Sequence, residues 1–173
     1  MLQRNSVTFD MPTIIVSSLD ASTDAFERHA PGFVISILDC DDPTPEPFRA
    51  LPKEQHLKLN AARDESAWCP EIIAFAKRWA DTNENILIHC HRGVARSTAI
   101  AYILMCARET ETCEAKIAKR LRTAAPHADP NLLLVSEADV LLGRDDRMVG
   151  AILDMCPCSA TVAAPVVTLP VGP

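Results

Sequence analysis

Residues 86–98 read Ile86-Leu87-Ile88-His89-Cys90-His91-Arg92-Gly93-Val94-Ala95-Arg96-Ser97-Thr98. A short apolar run ends in a cysteine, a glycine marks a turn, and an arginine and two hydroxyls follow where helical character begins. Residues 86–88 have the composition of a short buried strand, and 97–108 that of a helix. The loop between them lies where a strand end meets a helix start, which is where open α/β sheets place their ligands.

Such a loop turns several backbone N–H groups inward, and with the helix dipole these make a site for a phosphate dianion. Gly93 lets the backbone approach with no Cβ in the way. Arg96 adds a planar fork able to hold two oxygens at once, which a lysine cannot do. Cys90 lies in the same field. A free thiol is only a few per cent thiolate near neutrality, and anion-binding surroundings raise that share. Ser97 is placed to hydrogen-bond the sulfur, and His89 to orient the loop. His91, Arg92, Gly93, Val94 and Ala95 complete the phosphate cradle. His91 and Arg92 either meet substrate groups beyond the phosphate or face solvent.

Working outward, 13–16 and 33–38 read as buried strands, with a short helix opening near 22–27 and Ser22 or Thr23 as its cap. Four prolines between 43 and 52 predict an irregular loop over 40–55. The alternation of His56-Leu57-Lys58-Leu59-Asn60 predicts a half-buried strand, and 70–80 carries apolar residues at helical spacing. Only helices are expected after the loop, at 97–108, 112–124, 130–142 and 145–154. The uncharged, proline-rich residues 156–173 are set apart as a tail, either extended on the body or disordered, beyond a 1–155 catalytic domain. Trp68 and Trp79 are assigned to packing.

The chain has 173 residues, 48% of them hydrophobic, enough for one domain with an ample core. A net charge of −6 excludes a primary role in binding nucleic acid. No apolar run is long enough to span a bilayer, and Met1-Leu2-Gln3-Arg4-Asn5-Ser6 lacks the core of an export signal. Seven cysteines at scattered spacings then read as reduced thiols in a cytoplasm. Cys156-Pro157-Cys158 has no histidine or second pair nearby, so no metal and no cofactor is expected.

His89-Cys90, Gly93 and Arg96-Ser97 resemble the signature of the cysteine-based protein tyrosine phosphatases. The chain looks most like the small dual-specificity branch, and within it the bacterial predicted tyrosine phosphatases of this length. Pro126-His127-Ala128-Asp129-Pro130-Asn131 is similar to the Pro-Asn element that opens the next core helix in that branch. Ala95 departs from the pattern, since a polar residue often precedes the arginine.

The resemblance implies a single-domain α/β fold, with a twisted, mostly parallel central sheet flanked by helices and a helical C-terminal half. It implies hydrolysis of phosphate monoesters through a phosphocysteine, with Cys90 as nucleophile and Arg96 on the phosphate oxygens. The substrate class it implies is protein phosphotyrosine, with dual specificity open, and inositol lipids or small phosphorylated metabolites as alternatives. It further implies a general acid on a loop after a strand, 25–40 residues before the cysteine. Asp64 fits that place best, with Glu65 next and Glu54 in the same window. Asp129 is read as a helix cap, and Asn131 as bonding backbone at a helix start. Some members carry a resolving thiol near the position of Cys40, which packing would equally explain. Two other readings exploit the same loop: a phosphate-binding module without turnover, and a sulfur-transfer or arsenate-reducing enzyme.

Overall fold

A computed structural model describes residues 11–161 and 164–172. The export-signal reading of residues 1–6, and residues 162, 163 and 173 of the tail, lie outside the described residues.

Among the described residues, five strands form one sheet. They are β1 (Thr13–Ser18), β2 (Phe33–Leu38), β3 (His56–Asn60), β4 (Ile86–Cys90) and β5 (Val167–Pro170), in the order β3-β2-β4-β1-β5. The first four run parallel, and β5 pairs antiparallel with β1. All six residues of β2 and all five of β4 are buried, as central strands covered on both faces must be.

Among the described residues, six α-helices cover the sheet: α1 (Leu19–His29), α2 (Cys69–Ala80), α3 (Arg96–Arg108), α4 (Glu114–Ala124), α5 (Leu132–Leu142) and α6 (Arg147–Leu153). The alternation of the strands divides the core. Ile14, Val16, Ile35, Ile86 and Ile88 pack into the large cluster with α2–α6. Ile15, Val34 and Leu87 face the other way, onto Ala25 of α1 and Phe48. Helix α3 is buried at every position from Ser97 to Cys106, so it forms the axis of the larger layer.

The sheet and helices match the expected mostly parallel α/β architecture, with three local corrections. Helix α1 begins directly after β1, capped by Ser18, whose Oγ accepts from the Ala21 amide at 3.3 Å. Ser22 lies inside it, donating to the Leu19 carbonyl at 2.7 Å, so neither Ser22 nor Thr23 is the cap. The proline-rich stretch holds a 3₁₀ turn, Glu46–Ala50, because burying Phe48 against the sheet repays ordering the chain there. Helix α5 is capped by Asn131 and not by Asp129, which is exposed.

Of the two readings of the tail, extended on the body or disordered, residues 167–170 take the first, and as a strand of the sheet. Val167 and Leu169 are buried and Thr168 and Pro170 exposed, the alternation of an edge strand. The body supplies the charges that hold this uncharged segment. Arg120 pairs with Glu109 at 2.6 Å and bonds the Pro170 carbonyl, while Glu109 accepts from the Gly172 amide at 3.1 Å.

Candidate active site

Strand β4 delivers Cys90 to the C-terminal edge of the sheet, and α3 starts six residues later at Arg96. The loop between them is fixed by its carbonyls. That of His91 accepts from the Leu19 amide at 3.4 Å. Those of Val94 and Ala95 accept from the amides of Asp129 (3.0 Å) and Asn131 (3.2 Å), and both also take the Thr98 hydroxyl. The buried His127 ring bonds the Gly93 backbone. The segment 127–131 is thus a splint along the outside of the loop.

With the carbonyls turned outward, the amides are left inside. Among the described residues, the backbone N–H groups of His91, Arg92, Val94 and Ala95 donate to no protein acceptor, and α3 has no side-chain cap. An anion is the partner that such a concave set of donors suits. Gly93 has φ +72°, and a Cβ on it would lie 2.8 Å from the Ser18 nitrogen. Both the left-handed backbone and the contact with β1 therefore require glycine there.

Cys90 is 4% exposed at the floor of this loop. Its sulfur lies 3.2 Å from Ser97 Oγ and accepts from the Gly93 amide at 3.3 Å. Arg96 donates through Nε to Glu65 Oε1 at 2.6 Å, and among the described residues its two terminal nitrogens bond nothing else. Glu65 Oε2 in turn accepts from Asn131 Nδ2 at 2.7 Å, while Asn131 Oδ1 caps α5 through the amides of Leu133 and Leu134. Above the sulfur opens a cavity of about 460 Å³, whose walls include Asp39, Glu65, His91, Arg92, Asp129 and Asn131.

The structure therefore brings together Cys90, the 91–96 loop, Ser97 and Asn131. His89 is fully buried behind the loop, bonded to Ser36. Asp64 is exposed on the turn before α2, where it accepts from the Ser66 amide at 3.1 Å, and it is not among the cavity-lining residues. Cys40 is exposed, with its sulfur 3.6 Å from the Asn60 side chain, and does not line the cavity either. The sequence offers Glu65 only as a proton donor; its grip on Arg96 carries no sequence signal, because the two lie 31 residues apart. The splinting role of His127 likewise shows only in three dimensions. No group of three or more histidine, cysteine or acidic side chains that could hold a metal occurs among the described residues. Nor is any described helix long and apolar enough to cross a membrane.

No family model and no curated protein matches the chain. Solved structures do. Human DUSP28 shares 18% identity and a TM-score of 0.57, over 77% of this chain and 90% of its own. DUSP15 gives 17% and 0.58, over 85% and 95%. A human tyrosine phosphatase-like serine/threonine/tyrosine-interacting protein gives 14% and 0.57, over 76% and 92%. At these identities the likeness is one of fold: the chain has the fold of the dual-specificity phosphatase structures.

Proposed function

We propose that this chain hydrolyses phosphate monoesters through a phosphocysteine, with protein phosphotyrosine as its principal substrate. The observation that carries the reading is that Cys90, four residues with unengaged amides and Arg96 with the tips of its fork free all line one cavity. A binder of phosphate needs the amides and the arginine but has no use for a thiol aimed at the bound anion.

In the first half-reaction Cys90 attacks phosphorus and the P–O bond to the leaving group breaks. The loop amides and Arg96 hold the three equatorial oxygens, and their charge–dipole contacts strengthen as the transition state forms. The departing oxygen takes a proton from Asp64, reaching in from the turn beside Glu65. In the second half-reaction water attacks the phosphocysteine, deprotonated by the same carboxylate, and the thiolate leaves with the Ser97 hydroxyl hydrogen-bonded to it. Cys90, Arg96 and Ser97 thus act on the reacting atoms, and Glu65, Asn131 and His127 hold the parts in place.

Incubating the protein with phosphotyrosine peptide and quenching in acid tests the reading. It should trap a phosphate on Cys90, found by peptide mapping, and the Cys90→Ser protein should trap none. Phosphate release that leaves Cys90 unlabelled in every time window and persists in Cys90→Ser would refute it.

A further inference from the structure

Three polar side chains form a buried chain on the sheet face that α1 and Phe48 cover. His89 Nε2 lies 2.7 Å from Ser36 Oγ, and Ser36 Oγ lies 2.8 Å from His56 Nε2. They come from β4, β2 and β3, and their rings are roofed by Phe48, at 5.3 Å from His89 and 5.9 Å from His56. His89 and Ser36 are fully buried and His56 nearly so.

The protons in this chain can run only one way. Ser36 has one hydrogen to give, so at most one ring can accept from it and the other must donate. The far end sets the direction, because the Phe48 carbonyl bonds the His56 ring and favours a proton on its other nitrogen. His56 Nε2 is then bare, Ser36 donates to it, and His89 donates to Ser36 through Nε2–H. The near end agrees: His89 Nδ1 is buried with no partner, and a proton there would be a buried donor with nothing to bond. Burial keeps both rings neutral, and the charged groups acting on them are Lys58 of β3 and Asp42 of the loop after β2.

We propose that Ser36 and His56 are positioning residues for the phosphate loop: through this chain they fix the tautomer and ring plane of His89, and with it the exit of Cys90 from β4. The chain holds the residue before the nucleophile without placing any charge behind it. This rests on Cys90 being the nucleophile.

The test is imidazole ¹⁵N NMR on the whole protein at neutral pH, combined with kinetics on p-nitrophenyl phosphate. His89 should appear as the Nε2–H tautomer and His56 as Nδ1–H. In Ser36→Ala, His89 should show both tautomers, kcat should fall about 10-fold or more with KM within about twofold, and the pH profile of Cys90 alkylation should shift. Ser36→Thr, which restores the hydroxyl, should return all three. A wild-type His89 protonated at Nδ1, or a folded Ser36→Ala with unchanged kcat and alkylation profile, overturns the proposal. The wild-type spectrum decides the tautomer even if a variant fails to fold. A wild type that neither hydrolyses phosphoesters nor alkylates at Cys90 would refute the phosphatase reading instead, whatever tautomer the spectrum shows.

Discussion

Glu65 holds Arg96 by the side of its guanidinium: Oε1 takes the Nε hydrogen at 2.6 Å and the fork beyond it stays open. The same carboxylate's second oxygen takes the Asn131 amide, so one side chain from the turn before α2 ties the start of α3 to the cap of α5. With both oxygens engaged, Glu65 is a brace and not a proton source.

Glu65→Gln should therefore lower kcat/KM by about 10-fold or more, by releasing a charged contact that orients Arg96. The loss should be the same for p-nitrophenyl phosphate and for an alkyl phosphate. A loss confined to the alkyl substrate would make Glu65 the general acid after all.

Asp64→Asn should cost about 10²–10⁴ in kcat with alkyl leaving groups and much less with an acidic phenol, which departs without help. The exposed carboxylate of Asp64 must swing from its bond to Ser66 to do this. Asp129 lines the cavity already, so Asp129→Asn is the control. If Asp129→Asn gives the leaving-group-dependent loss and Asp64→Asn none, the acid lies on the splint.

Iodoacetate at mildly acidic pH should label Cys90 before any other cysteine, and phosphate or vanadate should protect it. Cys69 and Cys106 are buried, and burial pushes their thiols up to about 11 and about 12, so they should stay unlabelled in the folded chain. Arg96→Lys should lose most activity, since a lysine offers no fork. After mild peroxide, peptide mapping should find Cys90 oxidised first; a Cys40–Cys90 disulfide in those maps would identify Cys40 as its resolving thiol, and sulfinate without disulfide would remove it from that role.

Acid should weaken the fold before most carboxylates titrate. Burial pushes His56 and His89 from 6.5 down to about 4. Between those values the unfolded chain binds more protons than the folded one. The stability that goes with neutral rings is complete above about pH 6.5 and is lost as pH falls toward 4. Urea midpoints should drop over that window, and a flat response would mean that the folded chain protonates these rings as easily as the unfolded one.

The four parallel strands are legible because their burial leaves direct marks. Phe33–Leu38 and His56–Asn60 have the bounds that composition and alternation predict. The phosphate loop was legible because Cys90, Gly93, Arg96 and Ser97 each carry chemistry at close spacing. Boundaries failed where a tertiary contact chose among local options. Ser18 outcompeted Ser22 as cap because α1 must begin where β1 ends. Phe48 ordered a proline-rich stretch by finding a pocket under α1. The braces of the site, Glu65, His127, Ser36 and His56, are separated in sequence from what they hold, and each residue type has commoner uses. Their roles follow from sheet register and helix docking, which no local window contains.

The antiparallel pairing of β5 with β1 also sets an order of events. As the chain leaves a ribosome, β1 emerges before its parallel partner β4, and its outer edge waits for residues 167–170 long after that. Until then β1 offers a row of unpaired amides and carbonyls to any passing strand. The clasp of Glu109, just past the end of α3, and Arg120 of α4 is made by the time the strand arrives. The last of the described strands to be made thus replaces the six-residue edge of β1 with a four-residue one that ends in a proline, a poorer template for self-association.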